Sequence, residues 1–535
     1  MTMGRRNGDG QLPRIYRCIF LRRGLNTWAG LLGLLISYTL GTVGCGAGTD
    51  SREANKQQLA QGEVTTTANP LVAQYAITTP AQATVTVGFG LDLGYEQVTS
   101  PVASPAAGGP VTVLVAGMKQ NSLYHMRAVV TYSDGSQQFD SDHTFQTGTI
   151  PPQRIPAMKV TTASGSMPAP GVELMSLTIG NANQLLALAT DPSGNVIWYY
   201  DYDSTLGIPQ PIKLLPNGHM LMVLYQVFSP GGTVREIDLA GNIIRQFTYQ
   251  DLAQKLQAAG HNIQVFSIDH DFVLLPNGHL LLIVSDTRVF TDLPGYPGQT
   301  TVLGNAIVDL DPNLNPSWVW DAFDHLDVNR HPLSLPDWTH ANALVYSQDD
   351  GNLLFSVRNQ SWVLKLDYQN GNGAGDVIWK LGYQGDFTLT TGSTADWFFA
   401  QHDPNIATPN TTGKIQLAMF DNGNGRPIGT GGTPCTVMNC YSTAAIFQVD
   451  ETARTASRWW SFTTPYSYWG GVTRVLPNSD VFVDETTPFD LNLTSARLLE
   501  VTQSPNPTIV WQMEIDNQNS YRTIHIPSLY PGVQW

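Results

Sequence analysis

The feature that most constrains the fold is an internal repeat that runs through residues 155–535. One half of it is an apolar run, a Pro-Asn-Gly turn and a second apolar run. The other half is an apolar strand with an aromatic residue at its end. Such repetition indicates supersecondary units that stack and cover one another's apolar faces. The first half occurs at residues 214–221 and 274–281, with degenerate copies at 349–354 and 475–482, and the second at 194–198, 241–247, 318–320, 375–379, 457–460 and 509–511.

Six aromatic-ended strands over this length are typical of four-stranded blades with long insertions. The sequence therefore predicts an all-β chain in which residues 155–535 form a six-bladed β-propeller. The 49 glycines and 34 prolines favour many turns and short strands over long helices. Residues 252–258 are the best helix candidate, and a helix there would be an insertion between blades.

A smaller unit is expected before the repeats. Residues 70–150 alternate between apolar and polar side chains, as at 83–89 and 111–115, and their length suits a small fibronectin/Ig-like β-sandwich. A Pro-rich linker follows at 150–152. Residues 46–69 are polar and lack apolar periodicity, which predicts a flexible tether.

Residues 1–45 are typical of a lipoprotein-type signal sequence. Several arginines precede the uncharged apolar stretch 25–43, and Thr-Val-Gly-Cys follows at 42–45. In this interpretation Cys45 is the lipidation site. The alternative is an uncleaved anchor that spans the membrane once, because the stretch approaches the necessary length. Both alternatives predict an exported, membrane-anchored protein that faces the periplasm or the cell exterior.

The cysteines fit such a compartment. Cys18 belongs to the signal sequence, so Cys435 and Cys440 are the pair left after Cys45, and they stand in a Gly- and Pro-rich loop. In an oxidising compartment a disulfide that pins this loop is the simplest prediction. A zinc site is not expected, since no second Cys or His pair has ligand spacing. The sequence indicates no metal and no cofactor.

Charge is sparse and acidic, with 28 basic and 43 acidic side chains and a net charge of −15. Without residues 1–44, 22 basic residues face 42 acidic ones, a net charge of −20. A chain of this kind repels phosphates, which argues against a nucleic-acid partner.

Three of the 11 histidines recur at one position of the repeat. His270, His340 and His402 each come just before a repeat strand, which places three imidazoles on the same rim of a propeller. Arg358 ends the strand next to His340. Polar residues that converge from loops of different blades are the expected form of a propeller site. Against an acidic background this set predicts a local cationic pocket for a small anionic ester.

Four segments around these residues resemble the PAPS-independent arylsulfate sulfotransferase family of bacteria, in register over residues 155–535. They are residues 337–342 (DWTHAN), 356–360 (SVRNQ), 401–402 (QH) and 419–426 (MFDNGNGR). The resemblance implies a six-bladed propeller that moves a sulfuryl group from an aryl sulfate ester to a phenol by ping-pong kinetics through a sulfohistidine. It also implies that the partners are small molecules, an aryl sulfate donor and a phenol acceptor. Residues 1–45 predict contact with the membrane through the lipid anchor only, and the sequence leaves a homodimer open.

Carried onto this chain, the resemblance assigns His402 as the nucleophile that becomes sulfated. His270, His340 and Arg358 correspond to residues that hold the sulfuryl oxygens, and Asn342 to a polar neighbour. Two departures stand out: residues 468–471 contain no counterpart of the family's late-loop threonine, and the cysteine pair follows the His402 strand instead of preceding it.

Two other functions remain open from the residues alone. One is a rim-histidine or metal-dependent esterase, because aspartates flank His270 and Asp403 follows His402. The other is a non-catalytic propeller lipoprotein that binds a protein or a peptide.

Overall fold

The computed structural model describes residues 61–178, 183–227, 229–408, 411, 413–428, 432–491 and 494–535. The predicted signal sequence, Cys45 and most of the predicted tether lie outside these residues. Within the described ranges strands dominate and helices are few and short, which confirms the all-β class. No helix of this part is long and apolar enough to cross a membrane.

The amino-terminal part forms two antiparallel sheets, one of β1, β2 and β6 and one of the other six strands. In chain order the strands are β1 (Glu63–Thr66), β2 (Ala73–Thr79), β3 (Ala83–Gly90), β4 (Gln97–Val98), β5 (Val102–Ala103), β6 (Gly109–Val115), β7 (Leu123–Tyr132), β8 (Gln137–Phe139) and β9 (His143–Gln146).

The first of these strands corrects the predicted tether, 46–69, at its carboxyl end. Strand β1 lies inside that segment and pairs with β2 from Glu63 opposite Ala76 to Thr66 opposite Ala73. Val64 packs against the same apolar core as β2. This short Val- and Thr-rich stretch is stabilised by its pairing with a longer neighbour, which its own alternation is too short to reveal.

Six sheets, numbered 1 to 6, follow along the chain. After β10 (Ala157–Thr162), sheet 1 begins with β11 (Val172–Thr178), β12 (Ala187–Thr190) and β13 (Val196–Tyr200). Sheet 2 contains β14 (Ile208–Leu214), β15 (Met220–Tyr225), β16 (Thr233–Ile237) and β17 (Ile243–Thr248). Sheet 3 contains β18 (Val265–Leu274), β19 (Leu280–Leu293), β20 (Tyr296–Leu310) and β21 (Pro316–Asp321).

Sheet 4 contains β22 (Ala341–Ser347), β23 (Asn352–Val357), β24 (Trp362–Leu366) and β25 (Val377–Gly382). Sheet 5 contains β26 (Thr388–Leu389), β27 (His402–Ile406), β28 (Lys414–Asp421), β31 (Ser442–Asp450) and β32 (Thr455–Thr464), and the hairpin of β29 (Pro427–Ile428) and β30 (Thr433–Pro434) interrupts it. Sheet 6 contains β33 (Val472–Val475), β34 (Val481–Glu485), β35 (Ala496–Val501) and β36 (Ile509–Asp516), and β10 pairs at its edge. The last strands, β37 (Asn519–Ser520) and β38 (Ile524–Ile526), pair with β11 of sheet 1.

The helices are connections between or within sheets. The helix α1 (Tyr249–Ala258) follows sheet 2, as predicted for residues 252–258, and Thr248 and Asp251 form a capping box at its start. It buries Leu252 and Leu256 in the core that sheets 2 and 3 share. The one-turn helix α2 (Ala322–His325) follows β21. Short 3-10 turns lie at Pro152–Arg154, Ser204–Leu206, Arg358–Gln360, Gln369–Gly371 and Thr394–Asp396.

The aromatic residues of the repeat join each sheet to the next. The six aromatic-ended segments fall on β13, β17, β21, β25, β32 and β36. Each of these is the last strand of its sheet in chain order, apart from β37 and β38, which join sheet 1 from the end of the chain. Three indole N–H groups donate to the following sheet: that of Trp198 to Leu239 O, that of Trp320 to Gly375 O and that of Trp379 to Glu451 Oε1.

The last link of this kind joins the end of the series to its beginning. Trp511 of sheet 6 donates its indole N–H to Pro192 O, in the turn between β12 and β13 of sheet 1, at 2.8 Å. The pairing of β37 and β38 with β11 makes the same connection through the backbone. Sheets 1 and 6 are therefore neighbours although they stand at opposite ends of the sequence.

The two predicted domains, 70–150 and 155–535, belong to one compact unit, Leu59–Trp535. Their side chains share one core cluster. Tyr530, near the carboxyl end, donates its hydroxyl to Leu114 O and accepts a hydrogen bond from Ala116 N–H, both in the amino-terminal sheets. The predicted linker at 150–152 is thus a connection within one body, and Ile150 is buried.

Candidate functional site

Three neighbouring sheets present their histidines at irregularities of one strand each, which is β18 in sheet 3, β22 in sheet 4 and β27 in sheet 5. The pairing register shifts between Ile268 and Phe272 in sheet 3, between Ala341 and Ala343 in sheet 4 and between His402 and Asn405 in sheet 5. The backbone has positive φ at His270 (60°), at His340 (46°) and, beside His402, at Asp403 (46°). Bulges of this kind re-aim a side chain, and left-handed non-glycine residues collect at functional sites because surrounding contacts hold them there.

The result is that the three predicted imidazoles converge. The ring centroids of His270 and His340 are 4.7 Å apart, and those of His340 and His402 are 6.5 Å apart. Tyr521 lies beside them, with its ring centroid 5.9 Å from that of His270 and 6.3 Å from that of His402. The hydroxyl of Tyr521 is buried without a hydrogen-bond partner.

The surroundings of His402 determine its tautomer. The ring is 1% exposed. Its Nδ1 lies 2.7 Å from Asn422 Oδ1, while Gly470 N–H donates to its Nε2 at 3.2 Å. The Asn422 amide cannot be reversed without loss, because its Nδ2 donates to Ser467 O and Gly470 O. Nδ1 therefore carries the proton and Nε2 the lone pair.

The same ring is held in its neutral form. Burial lowers the pKa of His402 well below its ordinary value, and the nearby charge of Arg358 lowers it further. The hydrogen bond to Asn422 acts in the opposite direction but does not compensate. A neutral imidazole with its lone pair on Nε2 is a competent nucleophile.

His340 forms a pair with a carboxylate. Its Nδ1 lies 2.5 Å from Asp337 Oδ2. The enclosed position of the ring lowers the pKa of His340, and Asp337 offsets only part of that shift. Asn305 of sheet 3 fixes the backbone on both sides of the ring, since its Oδ1 accepts from Thr339 Oγ1 and Ala341 N–H, both at 2.7 Å. The pair can exchange a proton at Nε2 while Nδ1 stays bound.

His270 is less fully bonded. Its Nδ1 is 3.0 Å from Asp269 Oδ1, but the two atoms are not aligned for a hydrogen bond. The other oxygen of Asp269 accepts from the hydroxyls of Ser267 and Ser285. His270 therefore keeps unused hydrogen-bonding capacity at the centre of the cluster.

Arg358 brings a fixed positive charge to the site. It follows β23, and its two Nη groups donate to Asn359 Oδ1 at 2.7 Å and to Tyr468 O at 2.9 Å. Burial lowers the pKa of the guanidinium, an effect that Asp337 opposes. An arginine side chain is nevertheless positively charged at neutral pH. Its Nε is buried without a partner.

Asn342 links two of the histidine-bearing segments. Its Nδ2 donates to Gln401 O at 2.7 Å, one residue before His402, and its Oδ1 is buried with no partner. The structure thus brings together all five predicted site residues: His270, His340, Arg358, Asn342 and His402.

Sequence reasoning did not single out Asp337, Asn422, Tyr521 and Arg522. The first two stand inside the segments that carry the family resemblance, so a signal existed. Tyr521 and Arg522 come after the last repeat copy, and nothing in the sequence connects them with the histidines.

Residues 468–471, which lack the threonine expected from the family, pack against the side chain of Thr486. Gly470 has a positive φ of 62°, and a Cβ there would lie 2.2 Å from Thr486 Oγ1. Thr486, which follows β34, therefore occupies the space that a side chain at position 470 would need. This packing explains why position 470, whose backbone N–H donates to His402 Nε2, is a glycine.

The predicted disulfide between Cys435 and Cys440 is present, with Cα atoms 5.2 Å apart. It closes a loop after β30 in sheet 5, and Cys435 N–H donates to Arg426 O. Arg426 is fully buried and pairs with Asp421, at the end of β28. Across the described residues, no group of three or more His, Cys, Asp or Glu side chains is arranged to bind a metal ion.

Comparison with solved structures returns distant likenesses. The chain is similar to cobalt-substituted Synechocystis ACO, with 11% sequence identity, a TM-score of 0.30, and coverage of 85% of this chain and 96% of that one. It is also similar to a chimera of ACO and RPE65 with one substitution, at 12% identity, a TM-score of 0.29, and coverage of 86% and 94%. No curated protein matches the chain.

A protein-family comparison is more specific. The model of the family described as Arylsulfotransferase (ASST) matches residues 160–522, more than half of the chain. The match spans all three site histidines, Arg358 and Asn342, and it confirms the resemblance seen in the sequence. The chain belongs to the arylsulfotransferase (ASST) family.

Proposed function

We propose that this aryl sulfotransferase moves a sulfuryl group from an aryl sulfate ester to a phenol without a nucleotide donor, by a ping-pong reaction through a sulfohistidine at His402. The observation that carries the proposal is the bonding of that ring: Nδ1–H is held by Asn422, and Nε2 keeps its lone pair beside the charge of Arg358. Family membership supports the reaction class and the two small-molecule partners.

In the first half-reaction, Nε2 of His402 attacks sulfur, the N–S bond forms and the bond from sulfur to the phenolic oxygen breaks. Negative charge on the sulfuryl oxygens is stabilised by Arg358 and by an imidazole N–H of His270, while Nε2–H of His340 gives its proton to the departing phenolate. Gly470 N–H, freed from Nε2 when its lone pair is used, is placed to donate to one of these oxygens.

In the second half-reaction, the acceptor oxygen attacks sulfur and the N–S bond breaks. His340 accepts the proton of the acceptor phenol at Nε2 and releases it to the next departing phenolate, while Asp337 holds Nδ1. Since Nδ1 of His402 remains protonated throughout, the sulfated ring is cationic, and a cationic imidazole leaves sulfur more readily than a neutral one.

We further propose that sheets 1 to 6 are the blades of a six-bladed propeller preceded by a small fibronectin/Ig-like sandwich. The Trp511 link from sheet 6 to sheet 1, and the pairing of β37 and β38 with β11, support a closed ring. A closed ring would place β18, β22 and β27 of sheets 3, 4 and 5 around one axis, near which the three histidines meet.

The sequence of residues 1–45 supports an exported lipoprotein, anchored through Cys45 and facing the periplasm or the cell exterior. A disulfide between Cys435 and Cys440 is consistent with an oxidising compartment.

The first test is release of 4-nitrophenol from 4-nitrophenyl sulfate, with and without phenol, and without any nucleotide. We expect release that phenol stimulates, and a loss of at least about 1,000-fold in His402→Ala because the nucleophile is gone. His261→Ala, which lies outside the site, is the matched control and should keep full activity.

Three results would redirect the proposal. Undiminished turnover in His402→Ala would contradict the assignment of the nucleophile. Release that a chelator abolishes and phenol does not stimulate would favour the esterase. Absence of turnover with a range of aryl sulfates would favour a protein- or peptide-binding role.

A further inference from the structure

One guanidinium lies beneath the histidine cluster and touches all three of the segments that carry it. Arg522, between β37 and β38, is 1% exposed. Its Nη2 donates to Asn342 O at 2.7 Å. Its Nη1 is 3.3 Å from Asp271 Oδ2, and its Nε is 3.6 Å from Asp403 Oδ1.

These three acceptors stand next to the three histidines in sequence. Asp271 follows His270, Asp403 follows His402, and Asn342 comes two residues after His340. The backbone irregularities that re-aim the imidazoles therefore also turn one acceptor each toward Arg522. Each bulge presents a histidine to the site and an oxygen to the guanidinium.

Both carboxylates are held from a second side as well. Asp271 accepts from Lys213 Nζ at 2.5 Å and from Leu344 N–H at 3.0 Å. Asp403 accepts two hydrogen bonds from Arg474, both at 2.9 Å. These four charged side chains line a cavity that none of the three histidines lines. The layer centred on Arg522 thus separates that cavity from the imidazoles.

The contacts of Arg522 with Asp271 and Asp403 are electrostatic and include no hydrogen bond. Nε and Nη1 of Arg522 are buried and make no hydrogen bond, so the two carboxylates attract the guanidinium without clamping it. Its position is a balance between Asp271 on one side and Asp403 on the other. Loss of the charge would leave both carboxylates, and the bulges that carry them, without their common partner.

We propose that Arg522 is a positioning residue that sets the spacing of His270, His340 and His402 by holding Asp271, the Asn342 carbonyl and Asp403 at one centre. Only the expected effect on kcat rests on the proposed function. The distances between the three rings can be measured in a crystal structure whatever the reaction is. The three contacts of Arg522 come from three different nitrogens of one planar group, the guanidinium fork, whereas a lysine of equal charge has a single nitrogen.

Arg522→Lys tests this directly, because it keeps the charge and removes the fork. We expect the crystal structure of the variant to show at least one of the centroid separations, now 4.7 and 6.5 Å, changed by about 1 Å or more. We expect kcat to fall about 100-fold, while KM for 4-nitrophenyl sulfate changes less than about threefold, as for a misplaced catalytic group.

Arg288→Lys is the matched control. Arg288 also meets three carboxylates, those of Asp286, Asp321 and Asp324, but none of them adjoins a site histidine. This variant should keep both the separations and kcat. Equal losses of thermal stability in the two variants, with kcat unaffected in both, would show that Arg522 is only a stabilising ion-pair residue.

Asp403→Asn decides the question if Arg522→Lys does not fold. It is isosteric and removes one of the two opposing charges, so Arg522 should move toward Asp271. We expect the separation of His340 and His402 to change and that of His270 and His340 to stay. Unchanged ring positions in the folded variants would overturn the inference. If the rings are displaced in the variants but the unmodified protein transfers no sulfuryl group, the proposed function is overturned and the inference stands.

Discussion

At the scale of single residues, the chemistry depends on which nitrogen of His402 carries the proton. Asn422 accepts from Nδ1–H and is itself held by two backbone carbonyls, so the lone pair stays on Nε2. A neutral amide in this place fixes the tautomer without favouring the imidazolium. A carboxylate in the same place would stabilise the cation and reduce the fraction of reactive histidine.

Asn422→Asp should therefore raise the pKa of His402. The reactive form is neutral, so activity is lost as pH falls through this pKa, and a higher pKa moves that loss to higher pH. We expect the acid limb of the kcat profile to shift upward by about 1–3 pH units. Asn424→Asp adds the same charge two residues away, where its side chain meets Tyr468 O, and should leave the limb in place. An unshifted limb in Asn422→Asp would show that His402 does not control it.

At the scale of elements, the site is made by three bulged strands, β18, β22 and β27, and by the segment around Gly470. The recurrence of His270, His340 and His402 before repeat strands was visible in the sequence, and so were the aromatic-ended strands of sheets 1 to 6. The bulges were not visible, because a register shift is a relation between two strands and neither strand's own pattern records it. The positive φ at His270 and His340 follows from contacts made elsewhere in the chain.

Gly470→Ala should weaken the contact between the N–H of residue 470 and His402 Nε2 without changing His402 itself. A Cβ would collide with Thr486 Oγ1 and push the segment, with its N–H, away from His402 Nε2. We expect kcat to fall by about 100-fold. Thr486→Ala combined with Gly470→Ala should restore part of it, because the colliding hydroxyl is removed.

Gly135→Ala is the control for backbone strain alone. Its φ is +80° and nothing lies within 4 Å of the added Cβ, so it carries the strain of a left-handed alanine without a collision. Kinetics and thermal unfolding of the three variants separate the two causes. Equal kcat in Gly470→Ala and the unmodified protein would contradict a catalytic role for this amide.

At the scale of the whole molecule, the site combines histidines from the middle of the chain with residues from its carboxyl end. The three histidines lie between positions 270 and 402, yet Tyr521 and Arg522, which contact them or their neighbours, arrive only when β37 and β38 pair with β11. The sequence predicted the all-β class and the three histidines because repetition marks them. It predicted Arg358 from its place at the end of the strand next to His340, and Asn342 from the family resemblance. It did not predict Arg522, since this residue occurs once and acts through long-range closure. The early start at β1 was missed because four residues are too short for a pattern.

The central claim is that His402 carries the sulfuryl group between donor and acceptor. Intact-mass spectrometry of the protein mixed with excess 4-nitrophenyl sulfate and no phenol tests it most directly. We expect a gain of about 80 Da, localised to His402 by peptide analysis, that disappears when phenol is added and is absent from His402→Ala. Phenol-dependent turnover with no such adduct at any time after mixing, or an adduct on another residue, would contradict the account.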